Sequence, residues 1–124
     1  MRANLSTGWT GVALLMLFRD VHELFRPGVI DQMRSGAVNG TQMSEGLLLV
    51  AGASVILMVA MSLLVRLVPW GLARWAVLVV APLTMAGIAA AGLHDADDVL
   101  FAVVQALLLL AMMILAWRTA SPEQ

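Results

Sequence analysis

Three uninterrupted stretches without a charge dominate this chain: Gly46 to Val65, Trp75 to Leu93 and Val99 to Trp117. Each is about the 20 residues that carry a helix across roughly 30 Å of hydrocarbon. Inside a bilayer every backbone amide must be satisfied within its own segment, so each stretch folds as a helix. With 124 residues in all, little length remains beyond the crossings and their joints, and the chain is a single domain, 1–124. The balance of residues agrees: 61% are hydrophobic, 12% are charged, and the mean hydropathy is +0.93. A water-soluble domain carries about 25% charged residues, so a soluble enzyme and a disordered regulator are excluded. Seven Arg and no Lys stand against eight acidic residues, for a net charge of −1. That leaves no basic surface for nucleic acid. Cysteine is absent, which excludes disulfides, thiolate metal sites and Cys nucleophiles.

A fourth crossing is expected near the amino terminus, where Leu5 to Phe18 is apolar before Arg19, Asp20, His22 and Glu23 interrupt it. Counted from Ser6 to Phe25 it still spans. A cleaved signal peptide is the rival, with Arg2 as its basic start, but no small-x-small cleavage site follows. The expected architecture is an all-α membrane protein: four transmembrane helices over residues 6–25, 46–66, 75–93 and 98–117 in an up-down bundle. Residues 26–44 form an outer loop. Arg near the ends of short loops favours the cytoplasmic side. Arg2, Arg66, Arg74 and Arg118 fall on one side of this arrangement, so both termini are expected in the cytoplasm of a bacterial cell, with the chain multi-pass in the inner membrane.

The joints have their own signals. Pro69-Trp70-Gly71 breaks the run between the second and third spans, and Trp70, Trp75 and Trp117 suit the inner headgroup level. In the outer loop, Val29, Ile30 and Met33 recur at helical spacing between Gly28 and Gly36, which predicts a short interfacial helix. Ser44 before Glu45, and Asp95 or Asp97 before Val99, are suitable helix caps.

An ionisable side chain inside a span is a functional candidate by default. At 100° per residue, Arg19, His22, Glu23 and Arg26 share one face of the first helix, and Arg19 with Glu23 has ion-pair spacing. Asp20 lies off that face and continues the stripe of Trp9, Val12 and Met16. Counted from the helix ends, Asp20 and Gln105 both fall roughly 8 to 10 Å below the outer boundary. Ser54 and Thr84 lie deeper, and Pro82 beside Thr84 frees the carbonyl of Leu78. These residues can line an outward-facing polar pocket. In the purely structural alternative, Asp20 and Arg19 pair at the rim, Ser54 and Thr84 bond back to their own helices, and Gln105 links helices.

The turn His94-Asp95-Ala96-Asp97-Asp98 supplies possible metal ligands, but its spacing matches no calcium or zinc motif, and caps with solvated charge explain it. No metal and no cofactor is expected. Ala86, Gly87, Ala89, Ala90, Ala91 and Gly92, with Ala102 and Ala106, permit close helix approach, within one chain or between copies. The nine Met, among them Met58, Met61, Met112 and Met113, suit core filling.

The order of features resembles a family of small bacterial four-helix integral membrane proteins catalogued as a domain of unknown function. The likeness runs along nearly the whole chain: Leu5-Ser6-Thr7 with Trp9, Asp20 late in the first helix, Pro27-Gly28 after it, and Gly46-Leu47 opening the second. Ala60-Met61 and Arg66 close the second helix, Arg74-Trp75 opens the third, and Ala116-Trp117 ends the fourth. This chain has Met58 where a proline is usual and Gln105 where an acidic residue is usual. The resemblance implies the fold and draws attention to Asp20, and it implies no substrate. The expected function is binding, or helping to move, a small or lipophilic molecule through a pocket containing Asp20, with Arg19, Glu23, His22, Ser54, Thr84 and Gln105 as its neighbours, in a homo-oligomer. Two alternatives stand beside it. One is a membrane enzyme using Asp20 or Glu23 as general acid or base with His22 as relay; the other is a structural or accessory subunit.

Overall fold

The structure, a computed structural model, describes residues 2–38, 41–42, 44–91 and 96–119. Four long helices account for most of it: α1 (Arg2–Glu23), α3 (Glu45–Leu67), α4 (Trp70–Ala91) and α5 (Ala96–Arg118). A short α2 (Val29–Arg34) and a two-residue antiparallel ladder, β1 (Ala37–Val38) with β2 (Thr41–Gln42), occupy the connection between α1 and α3. Three helices are long and apolar enough to cross a membrane, α3, α4 and α5. Leu48, Leu49 and Ile56 on α3 and Leu100, Leu107 and Ile114 on α5 are exposed. Helices apolar on their outward faces are at home in lipid.

The ends of the helices follow from local chemistry. Ser44 caps α3, its hydroxyl accepting from the Leu47 amide at 3.1 Å. The third apolar helix begins at Trp70, five residues ahead of the expected Trp75. Pro69 sits just before the first turn, where a missing N–H costs nothing, and its carbonyl accepts from the Ala73 amide at 3.0 Å. The first helix runs from Arg2 instead of Ser6 and stops at Glu23, after which tight turns lead into Pro27. Gly28 and Gly36, with φ of 84° and 85°, bracket α2 where the periodicity of Val29, Ile30 and Met33 had placed a helix. Only Gly occupies that left-handed region freely.

Each long helix lies antiparallel to its neighbours, with α1 against α3 and α5, and α4 against α5 and α3. Two arginines fasten one end. Arg2 donates to the carbonyls of Val65 and Val68, at 3.3 and 2.6 Å, where α3 runs out of amides to satisfy them. Arg74 does the same for the carbonyl of Trp117 on α5, at 2.9 Å, and lies 5.5 Å over its ring. Trp70 Nε1 donates to the Thr119 carbonyl at 3.2 Å. The four-way core fills this half: Leu5, Trp9 and Val12, Met58, Met61 and Val65, Val77 and Ala81, and Leu109, Met112 and Ala116. Close approach of α1 and α5 depends on Gly8 and Gly11, which face Met112 and Leu108. Beyond Met58 on α3 and Ala81 on α4, toward the far end, no residue of either helix is buried among those described. There the two helices part.

Candidate functional site

The parting of α3 and α4 opens a cleft of about 560 Å³. Its walls are apolar: Leu47, Val50 and Leu57 on α3, Leu83, Gly87 and Ile88 on α4, and Met16 on α1. Five of the seven candidate residues line it, namely Arg19, Asp20, Ser54, Thr84 and Gln105. The stripe proposed for α1 explains Asp20: Trp9 and Val12 on it are fully buried in the core, and Met16 and Asp20 reach the cleft as the core ends.

The polar groups in the cleft differ in whether they have partners. Ser54 Oγ donates to the Val50 carbonyl at 2.9 Å, and Thr84 Oγ1 to the Val80 carbonyl at 2.8 Å, with Met58 Sδ at 3.8 Å. These two bond back to their own helices, and their oxygens keep acceptor capacity. Gln105 is 1% exposed, and neither its amide oxygen nor its amide nitrogen has a hydrogen-bond partner. The expectation that it links helices is therefore not met. Asp20 is exposed to the cleft and makes no hydrogen bond or ion pair among the described residues. It does not pair with Arg19 at the rim. The antiparallel register that sets Gly8 against Met112 and Gly11 against Leu108 also places Gln105 nearer the middle of α1 than Asp20. The two polar groups thus differ in depth by about 8 Å, at ~1.5 Å per residue, instead of sharing a level.

Arg19 is held by a residue first assigned to a solvated turn. Its Nε donates to Asp98 Oδ1 at 3.2 Å, and Asp98, 3% exposed, also has Arg26 Nη2 at 3.9 Å. Arg26 in turn pairs with Glu23 at 2.8 Å. His22 meets Asp97 at 2.8 Å and packs at 5.9 Å against the Phe101 ring, outside the cleft. Glu23 and His22 therefore belong to a charged rim joining α1 to α5. A signal for Asp98 was present. The buried positions of α5 are Asp98, Ala102, Gln105, Leu109, Met112 and Ala116, a 4-3-4-3-4 spacing that marks one seam facing its neighbours. The candidates His94 and Asp95 lie outside the described residues, and no cluster of metal-ligating side chains occurs among those described.

Fold and site together describe a helical protein with three helices long and apolar enough to cross a membrane, and an apolar cleft with polar points opening between two of them. Comparison with protein-family models, with curated proteins and with solved structures gives no match.

Proposed function

We propose that this protein binds a small lipophilic molecule, and helps it across or out of the bilayer, in the outward-facing cleft that contains Asp20. The carrying observation is the cleft: about 560 Å³ of apolar-walled space, within the size range of small-molecule sites, with a few polar groups converging on it. The reading takes α1 as a fourth crossing, since it matches its neighbours in length and packs between α3 and α5. Both termini then face the cytoplasm of a bacterial inner membrane, on the side that gathers Arg2, Arg66, Arg74 and Arg118. Homo-oligomer formation fits Ala86 and Ala89, small residues of α4 that are exposed and lie outside the cleft lining. The likeness to small bacterial four-helix membrane proteins is compatible with all of this. Catalysis has less support, because Glu23 and His22 are engaged with Arg26 and Asp97 away from the cleft.

Native mass spectrometry of the protein released from lipid nanodiscs tests the reading. A defined extra mass is expected on the wild-type protein and not on Gly87→Phe. Gly87 lines the cleft and a Cβ added there meets nothing within 4 Å, so the larger side chain is expected to narrow the cleft without displacing the fold. The same spectrum counts the chains. Bulk lipid alone, unchanged by Gly87→Phe, would sink the proposal in favour of a structural subunit.

A further inference from the structure

Apolar atoms in a cleft between membrane helices are satisfied by lipid tails, but an ionised carboxylate there needs a counter-charge. Asp20 lines the cleft and forms no ion pair or hydrogen bond among the described residues, and the one cation acting on it is its chain neighbour Arg19. Its neighbour Arg19 is turned to the buried Asp98, and Arg26 to Glu23 and Asp98. Among the described residues both guanidinium groups are thus engaged by rim carboxylates, and neither forms an ion pair with Asp20. Farther in, the amide of Gln105 is buried with both its donor and its acceptor unpaired, on the floor of the same cleft. A buried polar group left unpaired in this way is costly and invites a partner.

We infer that the cleft is selective for lipophilic cations. The positive group rests on Asp20, and the apolar body lies along Leu57, Leu83 and Ile88. In ligands long enough to have one, a hydrogen-bonding group about 8 Å from the cation meets Gln105, the spacing set by the helix register. This assignment rests on the cleft being a binding site and adds the charge of its occupant. Arg19 lines the cleft as well, but its Nε is turned to Asp98 Oδ1, 3.2 Å away, which leaves the Asp20 carboxylate as the group open to a cation.

Three probes of similar bulk separate the alternatives: cationic tetraphenylphosphonium, neutral triphenylphosphine oxide and anionic tetraphenylborate. Each is measured by equilibrium dialysis against the protein in phosphatidylcholine nanodiscs, with empty nanodiscs subtracted. Saturable binding of the phosphonium is expected, weakened at least tenfold in Asp20→Asn and retained in Asp20→Glu, with the borate no better than on empty discs. Preference for the borate would overturn the assignment and make Arg19 the recognition group. Equal binding of all three, indifferent to Asp20→Asn, would also overturn it while leaving the cleft as a site. If none binds, the cation assignment fails, and the co-purifying mass described above decides the cleft separately. Should Asp20→Asn not fold, the charge order on the wild-type protein still decides.

Discussion

Gln105 shows how one side chain can divide stability from function. Its amide is enclosed with no partner, so it carries the desolvation cost of a polar group without the return of a hydrogen bond. Gln105→Met, close in size and without the amide, is expected to stabilise the protein by about 1–2 kcal/mol and raise its thermal midpoint in detergent. A lowered midpoint would mean that Gln105 has a structural partner. Gly8 makes the opposite case. A Cβ there would overlap Met112 Sδ and lie 2.9 Å from its Cγ, so Gly8→Ala should cost about 1–3 kcal/mol. Gly52→Ala meets nothing within 4 Å and should be neutral or stabilise by up to about 1 kcal/mol through helix propensity. Thermal melts of the two variants side by side check the contrast. At this scale the sequence was informative about which residues matter and silent about their partners. Asp20 could be placed on the stripe of Trp9, Val12 and Met16 because helical period alone decides that. The pairing of Arg19 with Asp98, 79 residues away, depends on how α1 lies against α5, which no local pattern contains.

Among the elements, the join of α1 to α5 is the one with a charge at its centre. Asp98 is 4% exposed at its side chain and Arg19 is 19% exposed, so removing the carboxylate strands a partly enclosed guanidinium. Asp98→Asn is expected to destabilise by about 2–3 kcal/mol, at the lower edge for a buried pair because Arg19 keeps some contact with its surroundings. Exchanging the two, Arg19→Asp with Asp98→Arg, should recover part of the loss; no recovery would show that the pair is not the source. Element positions were largely legible. The uncharged runs gave α3, α4 and α5 to within a few residues, and Gly28 and Gly36 bounded α2. The start of α4 differed because an amide-free Pro69 can open a helix as well as end one. The separation of α3 from α4 was not legible at all. Small residues were noted on α4 and α5 and not on α3; of these Ala86, Gly87, Ala89 and Ala90 are exposed, and Gly8 and Gly11 bring α1 and α5 together.

For the molecule as a whole, the lack of cysteine makes the proposed topology simple to examine, since any introduced thiol is the sole site of labelling. Ser35→Cys should react with an impermeant maleimide on intact cells, while Ala3→Cys and Thr119→Cys should react only after permeabilisation. Labelling of Ala3→Cys on intact cells would reverse or reduce the crossings. The two ends are also unequal mechanically. Arg2 ties α1 to the last carbonyls of α3, Arg74 ties α4 to those of α5, and the shared core lies beneath them. The opposite end has the cleft. A molecule that slips between α3 and α4 therefore meets a dead end. On the proposed function the cleft is a cup and not a tube, and passage through it would require the arginine ties at the closed end to be undone first.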